Sequence, residues 1–87
     1  KISSILTTQT GVFENLPGQF NVVRYHSLIL KNVPAQFSIS AQTAEGEIMA
    51  IESPQLKAVG IQFHPEAILT EYGLEMLRNW VSFYNIV

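Results

Sequence analysis

The sequence contains no cysteine. That removes disulfides and thiolate metal sites, two devices that stabilise many small domains. With two histidines and no thiol, a structural metal site is not expected. Charge is scarce as well: Asp, Glu, Lys and Arg make up 14% of the 87 residues, and the net charge is −2. No basic run is present to neutralise phosphates, which argues against nucleic acid as a partner. No apolar run approaches the roughly 20 residues of a membrane span, and no signal peptide opens the chain, so no membrane association is expected. These absences fit a cytoplasmic protein.

Apolar residues, in contrast, are plentiful, at 47% of the chain. A domain of this size buries only about 60% of the surface that its unfolded chain exposes. A high apolar load with so few charges reads as a piece of a larger domain, or as a chain that buries one face against a partner.

The pattern along the chain is one of short strands followed by one helix, with no repeat and no low-complexity stretch. Ile2, Ile5 and Leu6 suggest a first strand. Gly11 to Gly18 carries Asn15, Pro17 and two glycines and reads as a connector. Phe20, Val22 and Val23 form a strand ending near Arg24. A bend at His26-Ser27 and a turn at Asn32-Val33-Pro34 follow. Phe37, Ile39 and Ala41 alternate with Ser38, Ser40 and Gln42, the period of a strand. Glu45-Gly46 is a hairpin turn, and Ile48 to Ile51 is the returning strand. Ala58 to Phe63 is nearly uninterrupted apolar sequence, as expected of a strand buried on both faces. Pro65 ends it at His64. Thr70 reads as a helix N-cap, Glu71 as first-turn charge, and Leu69 with Leu74 as a hydrophobic staple. Tyr72, Met76, Leu77, Trp80 and Tyr84 recur at helical spacing, and Met76, Trp80 and Tyr84 read as core contacts. Glu45, Glu47, Lys57 and Arg78 read as solvated charges. Hairpins, a buried strand and a packing helix suit the edge of an α/β layered domain.

The segment that can carry chemistry is Gly60-Ile61-Gln62-Phe63-His64-Pro65-Glu66. Sites in open α/β sheets form just beyond the carboxyl ends of strands. If the chain stays extended through Pro65, His64 and Glu66 project to one side, with Cα atoms roughly 6–7 Å apart. A carboxylate there can fix the tautomer of the imidazole and stabilise its protonated form. Spacing alone nevertheless favours a satisfied histidine ahead of a proline, because one His and one Glu two residues apart carry little information. A serine nucleophile at Ser27 is disfavoured. His26 points to the opposite face of an extended chain, and no Gly-flanked elbow surrounds the serine.

Three stretches in order add to this reading. Ala58 to Glu66, continuing to Gly73, resembles the C-terminal signature of class I glutamine amidotransferases. Tyr25-His26-Ser27-Leu28 and Gly46-Glu47-Ile48-Met49-Ala50 are similar to the same family at compatible spacing. The resemblance covers nearly the whole chain and is weakest before Gly11. Its Tyr-His-Ser-Leu form and Ile-Leu-Thr-Glu continuation are similar to the glutaminase components of anthranilate synthase and 4-amino-4-deoxychorismate synthase. The resemblance implies a flavodoxin-like layered α/β domain of which residues 1–87 are the C-terminal half. It implies glutamine as substrate, no cofactor or metal, and a chorismate-binding synthase subunit or domain as the partner that uses the ammonia. It assigns His64 as general base and acid, Glu66 as its orienting carboxylate, and Ser27 and Leu28 to the loop that holds glutamine. It does not carry His26 over as catalytic.

Two departures stand out. The family's nucleophile is a cysteine in a Gly-rich turn upstream of everything seen here, so this chain alone is expected to be inactive. Ala67 replaces a serine common after the acidic residue, with little effect expected on the chemistry. Three functions stay in competition: a glutaminase for anthranilate, a glutaminase for 4-amino-4-deoxychorismate or another acceptor, and a non-catalytic partner-binding fragment.

Overall fold

A computed structural model describes residues 2–24 and 32–84. They include five antiparallel strands and one helix: β1 (Ile2–Thr7), β2 (Gln19–Val23), β3 (Ser38–Gln42), β4 (Ile48–Ser53), β5 (Ala58–Ile61) and α1 (Gly73–Phe83). The strand order is β2-β1-β3-β4-β5. The α/β class expected from the pattern is therefore met, with the helix packed on a curled sheet.

The core gathers residues from every part of this arrangement. Ile5 of β1 sits opposite Phe20 of β2, and both are buried beside Val22, Met49, Phe63 and Met76. The connector between β1 and β2 contributes more than its Gly and Pro content suggests. It contains a 3-10 turn, Gly11–Phe13, and its Val12, Phe13 and Leu16 side chains are all buried. Met76 and Tyr84 pack into the core as the helical spacing predicts, and Trp80 lies partly buried against it.

Several expectations need correction. Alternation in β3 is broken at Ser40. Ile39 faces Ile51 and Ala41 faces Ala50, so Ser40 is an extra residue in the ladder. Both Ser40 and Ala41 are consequently buried, while Ile39 is exposed. β5 is not buried on both faces among the described residues: it is the last strand in the order, and Gly60 and Ile61 are exposed. The helix begins at Gly73, with Tyr72 in the left-handed region (φ 60°) at the cap position and no side-chain capping bond among the described residues. Leu69 and Leu74 are both largely exposed, so no staple forms. The bend expected at His26-Ser27 lies outside the described residues.

The segment after β5 turns back across the sheet to the far edge. The amide of His64 donates to the Val23 carbonyl (2.9 Å), and that of Glu71 to the Asn21 carbonyl (2.9 Å). In return, the Val23 amide donates to Thr70 Oγ1 (2.9 Å) and the Asn21 amide to Glu71 Oε1 (2.8 Å). The open edge of β2 is thus satisfied by residues 64–71, which nearly closes the sheet into a ring.

Candidate active site

His64 stands where this closing segment first touches β2. Its backbone is held at both ends, by the bond from its amide to Val23 and by two bonds to its carbonyl. The Ala67 amide donates to that carbonyl at 3.2 Å and the Thr70 hydroxyl at 2.6 Å. Thr70 and Glu71, which read from sequence as helix-capping residues, are therefore engaged in clamping this segment instead. Thr70 is buried and bridges His64 to Val23.

The side chains of His64 and Glu66 meet, with Nδ1 and Oε2 2.9 Å apart. The contact matches the spacing argument, but its backbone differs from the extended path assumed there. Residues 64–67 form a turn closed by the bond from the Ala67 amide to His64, and this turn swings Glu66 back towards the ring. The His64 side chain is 35% exposed and that of Glu66 70%, so the pair is open to solvent on the carboxylate side. The Glu66 backbone amide, and then the His64 ring, hold this carboxyl below its ordinary pKa of 4.5. An ionised acceptor at Nδ1 selects the tautomer that carries its proton there. Proton exchange with a reacting group then falls to Nε2.

The helix start is built around the same turn. A Cβ on residue 73 would overlap the Pro65 carbonyl oxygen, so glycine lets α1 approach directly behind the His64–Glu66 turn. Sequence reasoning missed the parts played by Thr70 and Gly73. The signal for Gly73 was a glycine among strong helix formers, which marks a close backbone approach when packing requires it.

Arg24, whose role the sequence left open, is buried and donates from Nη1 to Glu47 Oε1 at 3.1 Å. Glu47 is therefore an ion-pair partner rather than a purely solvated charge. Glu45, Lys57 and Arg78 are exposed as expected. Ser27 and Leu28 lie outside the described residues. Among the described residues, no helix is long and apolar enough to cross a membrane.

Residues 1–83 match the family described as "Glutamine amidotransferase class-I". The chain belongs to the class I glutamine amidotransferase family. It is 48% identical over 86 residues to the "Aminodeoxychorismate/anthranilate synthase component 2" of Bacillus subtilis, covering 97% of this chain and 44% of that protein. It is 45% identical over 84 residues to the "Anthranilate synthase component 2" of Mycobacterium tuberculosis, covering 94% and 36%. An "Aminodeoxychorismate synthase" of Streptomyces pristinaespiralis is 42% identical over 80 residues, covering 92% and 11%. The crystal structure of a putative GMP synthase protein from Thermoplasma acidophilum superposes with a TM-score of 0.87. That match covers 98% of this chain and 43% of the other at 23% identity, which establishes a shared fold. The chain spans less than half the length of each of these proteins.

Proposed function

We propose that the polypeptide carrying this chain is a glutaminase component that releases ammonia from glutamine for a chorismate-binding synthase partner. Residues 1–87 would be the C-terminal half of its amidotransferase domain. The observation that carries this reading is the 2.9 Å contact between His64 Nδ1 and Glu66 Oε2, presented on a clamped turn at the end of a strand. In the reaction, a cysteine thiolate adds to the carboxamide carbon of glutamine. The C–N bond breaks as the leaving nitrogen takes a proton from His64, and a thioester and ammonia result. Water, deprotonated by the same imidazole, then hydrolyses the thioester to glutamate and restores the thiol. One imidazole serves as base and acid in turn, and Glu66 keeps it oriented and stabilises its charged form. Ser27 and Leu28 would hold the substrate.

Since the 87 residues contain no cysteine, the nucleophile must come from elsewhere in the domain. Anthranilate synthesis is the acceptor reaction we favour. The relatives' names favour 4-amino-4-deoxychorismate synthesis as well, and copurification with a chorismate-binding synthase followed by identification of its aminated product decides between them. A non-catalytic partner-binding role is the reading favoured by the missing thiol.

Glutamine hydrolysis by the full polypeptide is the direct test. His64→Ala is expected to lower kcat by roughly 10²–10⁴-fold, and residues 1–87 alone are expected to release no ammonia. Unchanged glutaminase activity in the His64→Ala protein would remove the role given to this histidine. A full polypeptide without any cysteine would leave only the binding role.

A further inference from the structure

Glu52 is the one charged residue of β4, and it is 5% exposed. Its Oε1 accepts two hydrogen bonds, from the Val12 amide at 3.2 Å and from the Tyr84 hydroxyl. Its Oε2 is buried and has no donor among the described residues. The hydroxyl of Ser40, the bulged residue of β3, is likewise buried without a partner among them, on a side chain whose residue is 4% exposed. Both residues line one cavity of about 150 Å³, at the end of β4 where β5 begins. The space is several times that needed by a single water.

The surroundings specify what such a cavity accepts. Its wall includes Thr8 and Thr10, whose hydroxyls bond each other at 2.8 Å and retain lone pairs. Phe83, the last residue of α1, stands at the same wall, where the helix dipole presents its negative end. Among the described residues, no basic side chain lines the cavity, and α1 has none in its last turn. A carboxylate with an unmet oxygen, hydroxyl lone pairs and a helix C-terminus all call for positive charge with N–H donors. Glycine at position 11 fits this picture. Its backbone (φ +59°) runs so close to Glu52 that a Cβ would overlap Oε1, so the carboxylate is gripped on one side and left unsatisfied on the other.

We propose that this cavity binds a protonated primary amine, drawn by the Glu52 carboxylate and the hydroxyls of Ser40, Thr8 and Thr10 that line it. The amine is either a free small molecule or the side chain of a lysine from adjoining polypeptide, since both present the same head group. The site is separate from His64, and the inference does not rest on the glutaminase reading.

The test follows the thermal unfolding of the full polypeptide in methylammonium chloride, with tetramethylammonium chloride and potassium chloride at equal ionic strength as references. A free-amine site gives a saturable rise in Tm with methylammonium alone. Glu52→Gln keeps the Oε1 acceptor and the volume, and is expected to weaken binding roughly 10- to 100-fold. Ser40→Ala is expected to weaken it less, and it carries the test if the Gln variant does not fold. A lysine occupant instead gives no methylammonium response, but a Glu52–lysine cross-linked peptide after carbodiimide treatment, identified by mass spectrometry. The proposal is overturned by equal responses to all three salts, by a response that both variants leave unchanged, or by neither a response nor a cross-link.

Discussion

Glu66 shows how much of the site is a matter of single residues. Its carboxyl accepts from its own backbone amide and from His64, and these bonds favour the ionised form. A group whose pKa falls on folding contributes stability above its unfolded value, here 4.5, and loses that contribution as pH drops through the lower folded value. Loss of the Glu66 charge is therefore expected to weaken the contact only as pH falls below 4.5. Carboxyl carbon NMR of the full polypeptide checks this: Glu66 should titrate below the ordinary range, and His64→Ala should move it back upwards. A normal Glu66 titration in the wild type would refute the pairing. Spacing alone did not single out this pair, since one His and one Glu two residues apart carry little information; the family resemblance did, and the contact forms on a turn rather than on the extended path assumed. Glu52 was not legible in the sequence. A charge inside an apolar strand is a visible anomaly, but its partner Tyr84 lies 32 positions away, and no local pattern links them.

Among the elements, the closing segment between β5 and α1 decides where the His64–Glu66 pair sits. Thr70 bridges two backbone groups and Gly73 lets the helix nest against Pro65. Thr70→Val removes the bridge and leaves polar groups of His64 and Val23 short of a partner, at a cost of about 1–3 kcal/mol. Gly73→Ala forces the helix away from the turn at a comparable cost of about 1–3 kcal/mol. Denaturant unfolding of the full polypeptide measures both, and values within about 0.5 kcal/mol of the wild type, as for ordinary surface changes, would argue against the clamp. The strands and the existence of α1 were readable from period and turn residues. The start of α1 was not, because Thr70 and Glu71 have the chemistry of a cap yet give their oxygens to β2. A threonine ahead of an acidic residue suits either task, and only the ring closure selects between them.

On the scale of the whole molecule, one flank of the structure lacks a cover. Among the described residues β5 has a single neighbouring strand, and a hollow of about 180 Å³ beside it is lined by Val12, Val59, Ile61, Pro65, Met76, Leu77 and Trp80. The indole Nε1 of Trp80 is buried without an acceptor among them. Unpaired strand edges and apolar hollows promote association, so residues 1–87 alone are expected to self-associate. Light scattering during gel filtration checks this, and a stable monomer would show that the flank needs no cover. The ring closure also bears on the order of folding. The bonds that clamp the His64 segment join residues 47 and 50 positions apart, and such distant pairings form only after the cost of closing long loops has been met. A nascent chain still lacking Glu71 would thus already contain its histidine and its carboxylate, yet could not hold them in working register. The clamp on the pair forms only once the whole segment through Glu71 is present.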